Sequence, residues 1–403
     1  MAENKFNKIT DRMNEFVNDG LFPGIEWIIG HSGSKTKGSV GYMNLKTQQK
    51  MIEQPIYRIW SMTKPIVSIA VMQLIEKKFL RFEDELQKIL PMFKHLKTMK
   101  NPIGDINDTT NLNTAPTILD LISHTAGFSY HFLGDPVGIA YDKVGFLKPA
   151  NTSLEEEIEK LANIPLLFQP KQKWQYSVSV DILGRVIEVI TKQSLRDYLM
   201  ENIFEPLNMK DTDFYVPQEK QERVMTSYCY DIDKKTLLDW EGDNYENQSI
   251  ANFSYPLDEP QQFARGGHGL YSSTEDYSNF SEMLLTGKSQ TGKQIIGLEN
   301  LLLMTTNSIS EKLLPLEIKH IDDQESLNFF EPYSFGLGFR IKLNIKSDNN
   351  SNPGEFGWAG AASTFFLVDP KEQLTAVIMT QTLNGNYYLK DIDFINLIYS
   401  EIK

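Results

Sequence analysis

Strand-type patterns stand near both ends of this chain and helical patterns fill its middle, and this distribution limits the folds that the chain can adopt. Strands are predicted over residues 25–30, 38–43, 338–345, 363–368 and 374–381. Apolar residues at helical spacing occur over 6–17 and 388–402, next to the two sets of strands. The simplest arrangement is an α/β (α+β) fold, in which one sheet is built from both chain ends and is flanked by the terminal helices.

The middle of the chain predicts a separate, mostly helical region. Helices are predicted over residues 117–123, 154–162, 180–191 and 195–203. We therefore divide the chain into an α/β domain formed by residues 1–80 and 260–403 and a mostly helical region with a loop-rich insertion over 81–259. An active site is expected at their junction.

Charge and cysteine content exclude several classes of protein. The 403 residues include 53 Asp and Glu against 40 Lys and Arg, a formal net charge of −13, which argues against a nucleic-acid partner. The single cysteine, Cys229, excludes an intrachain disulfide and fits a reducing compartment. We find no apolar run of roughly 20 residues, as a membrane span needs, and no secretory signal pattern. We expect a cytoplasmic protein without a membrane span, and its oligomeric state stays open.

A Ser-x-x-Lys pattern, Ser61 to Lys64, stands where a predicted strand over 56–60 gives way to a predicted helix over 61–78. A serine at a helix start can project its hydroxyl beside backbone N–H groups that lack helical partners. Lys64 follows about one turn later on the same face, and burial together with the helix dipole favours its neutral amine. A neutral amine can take the proton of a serine nucleophile. The alternative is that Ser61 only caps the helix.

Two further segments carry groups that such chemistry needs. Tyr176 is placed in a loop before a predicted helix, and a phenol whose pKa is lowered by a nearby ammonium can share protons with a serine and a lysine. The glycine-rich stretch 356–361 precedes a strand, and the N–H of Ala361 there can join that of Ser61 in an oxyanion hole. Taken singly, the first segment also fits core packing and the second a hairpin entry.

The order of these segments along the chain and the residues in them resemble those of one family. From Ser61 onward the chain resembles serine hydrolases of the class C β-lactamase superfamily, the penicillin-recognising SxxK enzymes, and most of all the family VIII carboxylesterases. Segments in family order that carry the likeness are YRIWSMTKPI (57–66), LISHTAGF (121–128), FEPLNM (204–209) and GGHGLYSS (266–273). The resemblance implies a β-lactamase/transpeptidase-like fold with an antiparallel sheet.

The resemblance also implies a role for each candidate residue. Ser61 is the acylated nucleophile, and Lys64 is its base or proton relay. Tyr176 is the second base, which activates water for deacylation, and the backbone of Ser61 and Ala361 forms the oxyanion hole. Which of Lys64 and Tyr176 takes the first proton stays open. No cofactor and no metal are implied, and the expected partner is a small-molecule ester or amide.

Two departures from the family pattern bear on the substrate. β-Lactamases and DD-peptidases of the superfamily carry Tyr-x-Asn, whereas Val178 stands in place of the Asn, and they carry Lys-Thr-Gly where this chain has Trp358-Ala359-Gly360. An apolar wall in place of that lysine favours a neutral acyl group over an anionic lactam. The residues expected to border or contact the substrate are Trp358, Ala359, Gly360 and Tyr130. We therefore predict a carboxylesterase acting on short to medium acyl chains.

Several alternatives remain open. The same chemistry would serve a β-lactamase, a D-amino peptidase or an acyltransferase. A non-catalytic binding protein with the same fold is a third possibility, because a fold does not fix a function. The aromatic-rich stretch 253–256 either forms part of an acyl pocket or packs in the core.

Overall fold

The computed structural model of the protein describes residues 6–146, 148, 152–240, 264–318, 332–348, 350–383 and 391–402. The stretch 253–256 and the predicted boundary between residues 259 and 260 lie outside these residues.

A large antiparallel sheet forms the centre of the described fold. The strands are β1 (Gly24–His31), β2 (Ser34–Asn44), β3 (Gln49–Lys50), β4 (Ile56–Arg58), β5 (Lys97–Met99), β6 (Thr109–Asn111), β7 (Tyr228–Asp231), β8 (Thr236–Asp239), β9 (Tyr271–Ser273), β10 (Tyr333–Phe335), β11 (Arg340–Lys342), β12 (Phe356–Ala359), β13 (Phe365–Asp369), β14 (Leu374–Met379) and β15 (Thr382–Leu383). Eight of them form one sheet in the order β10-β11-β12-β13-β14-β1-β2-β3.

Helices cover the sheet and fill the middle of the chain. They are α1 (Asn7–Asn18), α2 (Thr63–Glu76), α3 (Leu86–Ile89), α4 (Ile118–Ile122), α5 (Pro136–Lys143), α6 (Leu154–Glu159), α7 (Ser179–Thr191), α8 (Leu195–Leu199), α9 (Thr274–Thr286), α10 (Leu298–Met304) and α11 (Asp391–Ile402). None of the helices in the described stretches has the length and apolarity needed to cross a bilayer.

The two ends of the chain meet inside the sheet. β1 pairs antiparallel with β14, and Ile28 lies opposite Val377 in that ladder. The first strand of the chain therefore lies beside one of the last, which confirms the prediction of one sheet built from both ends. The finer division into residues 1–80 with 260–403 and residues 81–259 stays a prediction.

Both faces of the sheet are buried, so its central strands are apolar on both sides. Because side chains alternate along a strand, Phe365 of β13 and Ile378 of β14 pack on one face with α1 and α11. On the other face, Phe366 and Val377 join the larger core, to which α2 and α9 contribute. This second core extends into the mostly helical middle of the chain, and it surrounds the residues described below.

The structure differs from the predicted elements around the Ser-x-x-Lys pattern. The strand predicted over 56–60 ends at Arg58, and Trp60 takes a left-handed backbone conformation with φ 46°. A 3₁₀ turn over Trp60–Met62 follows, so α2 begins at Thr63 and Ser61 does not cap it. A bulky tryptophan gives no sequence signal for such a turn, since positive φ is normally marked by glycine, asparagine or aspartate.

Short strands are among the other elements that the patterns do not predict. β5 and β6 pair as a hairpin inside a region predicted as helices and loops, and β11 covers only three of the residues predicted as a strand over 338–345. A strand of three residues is too short for alternation to be distinguished from chance, which explains both differences.

Candidate active site

Ser61 lies on a short turn whose position is fixed by its neighbours. The turn Trp60–Met62 leads directly into α2, and the left-handed conformation of Trp60 costs a non-glycine residue about 1–3 kcal/mol. The hydroxyl of Tyr277, on α9, donates a hydrogen bond to the Met62 carbonyl at 2.8 Å. The surrounding packing thus maintains a strained turn that leaves the Ser61 side chain only half-buried.

Lys64, in the first turn of α2, brings its amine to the Ser61 hydroxyl. Its Nζ lies 3.2 Å from Ser61 Oγ and donates a hydrogen bond to the Gly267 carbonyl at 2.7 Å. The side chain is only 2% exposed, and burial lowers the pKa of Lys64 to about 7. Near neutral pH a large fraction of the amine is therefore uncharged and able to accept a proton.

Asp181, in the first turn of α7, places a buried carboxylate near this amine and was not predicted as a site residue. It accepts a hydrogen bond from the Gly267 N–H at 2.8 Å, and its negative charge raises the pKa of Lys64 against the larger effect of burial. Burial in turn raises the pKa of Asp181, and the positive charge of Lys64 opposes that shift. A lone carboxylate in the apolar run Val180-Asp181-Ile182-Leu183 is the sequence signal that could have identified it.

Gly267 joins the two charged groups through its backbone. Its carbonyl accepts from Lys64 and its N–H donates to Asp181. A Cβ at this position would lie 2.3 Å from Asp181 Oδ2 and 2.8 Å from the Tyr130 hydroxyl, so only glycine fits. Close packing behind Lys64 thus explains why the segment 266–269 has a glycine at position 267.

Tyr176 lies against both Ser61 and Lys64. Its ring centroid is 4.6 Å from Lys64 Nζ, and its hydroxyl is near enough to the Ser61 side chain for that serine to lower its pKa. The prediction that its pKa is lowered is wrong: burial raises the pKa of Tyr176 above its ordinary value, and polar interactions with Ser61 and Trp358 offset only part of that rise. The phenol is therefore protonated at neutral pH and is available as a proton donor.

Aromatic rings enclose this group of side chains. The ring of Tyr130 lies 5.1 Å from Lys64 Nζ and 5.2 Å from the ring of Tyr176. Trp358, on β12, lies with its ring 5.5 Å from the Tyr176 ring. Two of the residues expected to contact substrate, Tyr130 and Trp358, therefore lie beside the reactive groups and form apolar walls around them.

The end of β12 lies close to the backbone that precedes Ser61. A Cβ on Gly360 would lie 2.5 Å from the Ile59 carbonyl oxygen, so a side chain there would separate the two segments. Ala361 follows in the turn and is exposed, and no acceptor for its N–H is found within the described residues. The Ala359 side chain packs into the core beneath α1 and α11, so only its backbone is available to a substrate.

The chain is similar to known proteins in both sequence and structure. A family model described as Beta-lactamase matches residues 9–399. Protein Rv1367c of Mycobacterium tuberculosis is 28% identical over 352 residues, which cover 85% of this chain and 81% of that protein. Esterase EstB of Burkholderia gladioli is 29% identical over 245 residues, 59% of this chain and 58% of that protein. The solved structure of "EstCE1, a hydrolase with promiscuous acyltransferase activity" matches with a TM-score of 0.78 at 21% identity and covers 98% of both chains.

The chain belongs to the beta-lactamase family, because the family model spans nearly its whole length. The resemblance to penicillin-recognising serine hydrolases and the predicted fold class are thereby confirmed. The protein is an enzyme of the serine hydrolase type.

Proposed function

We propose that the protein is a serine carboxylesterase that cleaves neutral esters of short to medium acyl chains through an acyl-enzyme. The observation that carries the proposal is the 3.2 Å contact between Ser61 Oγ and Lys64 Nζ, an amine whose pKa is about 7. A serine hydroxyl becomes a nucleophile when a positioned base can take its proton. Tyr176, whose ring lies 4.6 Å from Lys64 Nζ and whose raised pKa keeps the phenol protonated, supplies the proton that a leaving alcohol needs.

Acylation transfers one proton from the serine to the leaving group. Neutral Lys64 takes the proton of Ser61 while Oγ attacks the ester carbonyl carbon, and the backbone N–H groups of Ser61 and Ala361 bind the resulting oxyanion. The carbon–oxygen bond to the alcohol then breaks, and the Tyr176 phenol protonates the departing oxygen. The Lys64 ammonium restores the proton of Tyr176, so that an acyl-Ser61 ester and a neutral amine remain.

Deacylation runs through the same groups with water in place of the alcohol. Because its pKa is raised, Tyr176 starts this step as a protonated phenol and relays protons, rather than acting as a phenolate base. As water attacks, Tyr176 gives its own proton to the Ser61 leaving oxygen, directly or through Lys64, and accepts one from water. The acyl–Oγ bond breaks, Ser61 regains its proton, and a carboxylic acid is released. Lys64 ends the cycle neutral, as it began.

The walls of the site support a neutral acyl group. Trp358 stands where related β-lactamases carry a lysine, and it lies beside Tyr176 together with Tyr130. An aromatic wall gains free energy by covering apolar surface and provides no charge to hold a carboxylate. The net charge of −13 supports a small-molecule substrate rather than nucleic acid. The single cysteine supports a cytoplasmic location.

A comparison of two substrates tests this proposal. We expect the protein to hydrolyse p-nitrophenyl butyrate with a kcat/KM at least about 10²-fold higher than that for a chromogenic cephalosporin, because the anionic lactam finds no cation on the wall. Initial rates of the parent protein and of Ser61→Ala, measured by absorbance on both substrates, check it. A kcat/KM for the cephalosporin that equals or exceeds that for the ester would show a β-lactamase.

Acyl transfer to an alcohol is a second candidate function, favoured by the aromatic walls around Tyr176. An apolar alcohol gains more than water does from binding there, and it can attack the same acyl-Ser61 ester. Hydrolase and promiscuous acyltransferase activities are named for the structural neighbour EstCE1. Addition of 1-butanol to the p-nitrophenyl butyrate assay separates the candidates, since transfer yields butyl butyrate and hydrolysis yields butyrate alone.

Replacement of Asp181 by asparagine is expected to shift the pH dependence of ester hydrolysis to lower pH. The limb of kcat/KM that rises with pH reports loss of the Lys64 proton, with an apparent pKa of about 7. The Asp181 carboxylate raises the pKa of Lys64, so removal of its charge lowers that pKa and the amine becomes neutral at lower pH. Profiles of kcat/KM against pH measure the shift.

Asp276 offers a matched control for that experiment. It is also buried, burial raises its pKa to about 6, and its carboxylate accepts hydrogen bonds from Thr212 and from the Asp211 N–H. Asp276→Asn should leave the rising limb where it is. If Asp181→Asn leaves the limb in place or moves it to higher pH, Lys64 is not the group that titrates.

A further inference from the structure

The segment that holds Tyr176 has no regular secondary structure. Residues 173–177 are neither helix nor strand, and α7 begins only at Ser179. A backbone without a hydrogen-bonded ladder can adopt many conformations unless other contacts restrict it. A phenol that must stay within reach of Ser61 and Lys64 therefore depends on groups outside its own segment.

His124 makes hydrogen bonds on both sides of Tyr176. Its carbonyl oxygen accepts from the Gln175 N–H at 2.9 Å, and its Nδ1 lies 3.1 Å from Ser177 Oγ. Ser177 Oγ in turn lies 2.8 Å from the hydroxyl of Ser179, the first residue of α7. One histidine thus fixes the residue before and the residue after the tyrosine and connects both to the start of a helix.

The imidazole also packs directly against the tyrosine. The ring centroids of His124 and Tyr176 lie 5.1 Å apart. The ring centroid of Phe335 lies 5.4 Å from that of His124. His124 is 1% exposed, so its ring cannot turn without disturbing these neighbours. Packing determines where the Tyr176 ring lies, and the hydrogen bonds determine where its backbone lies.

The backbone of His124 is itself held in an uncommon conformation. Its φ is 57°, the left-handed region that a non-glycine residue seldom adopts, and it lies two residues after the end of α4. Its N–H donates to the Leu121 carbonyl at 3.2 Å, and the next N–H, of Thr125, donates to Asp120 at 2.8 Å. The end of α4 thereby directs the His124 side chain and carbonyl towards the Tyr176 segment.

The ring is neutral at the pH at which the site works. Burial, and to a smaller extent the charge of Lys64, holds the pKa of His124 well below its ordinary value. A neutral imidazole has one donor and one acceptor nitrogen, so Nδ1 can serve the Ser177 hydroxyl without adding a second positive charge beside Lys64. This setting suits a residue that maintains geometry and exchanges no proton.

We infer that His124 is the positioning residue for Tyr176: it holds the phenol at Ser61 and Lys64 and acts on the reaction only through that phenol. The inference rests on the proposed function, because it assigns a role within that reaction. It explains why the segment 121–128, which contributes no reactive group, carries a histidine at its centre.

Substitutions that retain or remove one feature of His124 test the inference. His124→Phe keeps an aromatic ring but removes Nδ1, and we expect kcat for a phenyl ester to fall about tenfold, the equivalent of one hydrogen bond, with KM changed less than about twofold. His124→Asn restores a hydrogen-bonding group near the Nδ1 position and tolerates the left-handed backbone, so it should recover most of the lost rate. A phenyl ester is used because its leaving group still needs a proton.

A double-mutant cycle with Tyr176→Phe separates positioning from general structural damage. If His124 acts through the phenol, His124→Phe causes no further loss of kcat in the Tyr176→Phe background. The same loss in both backgrounds, or no loss in the parent protein, overturns the inference. If thermal unfolding shows that His124→Phe is not folded, Ser177→Ala replaces it in the same cycle, with the same expected result. Failure of the proposed function is distinguishable, since Ser61→Ala would then keep its esterase activity.

Discussion

Replacement of Ser61 by alanine is expected to lower kcat for ester hydrolysis by about 10³-fold or more. The catalytic residues act as a unit, so without the nucleophile only substrate binding and the oxyanion hole still contribute to the rate enhancement. Within the described part of the chain, the half-buried Ser61 side chain accepts a hydrogen bond from Lys64 and donates none to the core, so stability should change little. Initial rates on p-nitrophenyl butyrate and thermal unfolding measure the two effects.

Ser68 supplies a matched control for that substitution. It is a fully buried serine on the same helix, one turn beyond Lys64, and it takes no part in the proposed reaction. Ser68→Ala should keep the parent rate within about threefold, as expected for a conservative change away from the reacting atoms. Retention of more than about a tenth of the parent activity by Ser61→Ala would remove the serine from the mechanism.

Replacement of Lys64 by methionine is expected to lower kcat/KM by about 10²- to 10⁴-fold, the usual contribution of a positioned general base. Methionine fills a similar volume without a basic nitrogen, so Ser61 loses the group that takes its proton. Lys64→Arg is the informative comparison, because arginine keeps the positive charge but cannot lose its proton at working pH. Both variants should show this loss of kcat/KM, whereas a merely electrostatic role for the ammonium would leave the arginine variant active.

The pH dependence of stability provides an independent measure of the pKa shift of the Lys64 amine. The pKa of Lys64 falls from 10.5 to about 7 on folding, so the unfolded state binds more protons between those values. The free energy of unfolding therefore rises with pH across that window, and the corresponding part of the slope disappears in Lys64→Met. Chemical denaturation at several pH values measures it, and identical slopes in both proteins would mean that the amine is not desolvated.

The pairing of Ser61 and Lys64 could be predicted from the sequence because a single helical turn sets their separation. The resemblance placed Tyr176 beside them, since no local spacing connects residues so far apart in the chain. The sheet could be predicted from the strand patterns near both chain ends, and β1 does lie beside β14. Trp60 shows the limit of local patterns: its positive φ depends on packing around the turn and has no marker in the sequence.

The electrostatics of the site could not be predicted, because burial depends on segments that meet only in the fold. Tyr176 lies among Tyr130, Trp358 and His124, and their combined packing raises its pKa where proximity to an ammonium alone predicted the reverse. Asp181 is similar, for only the folded chain brings its carboxylate to the glycine that also binds Lys64.

The central claim is that an uncharged lysine amine activates Ser61 for acylation. Rapid acid quench of the parent protein with p-nitrophenyl butyrate, followed by tryptic digestion and mass spectrometry, tests it directly, because cleavage after Arg58 and Lys77 places Ser61 in one peptide. The account predicts a butyryl group on Ser61, formed at a rate that rises with pH through about 7 and absent from Ser61→Ala. An acyl group on another residue, or a rate of formation independent of pH between about 5 and 9, would contradict it.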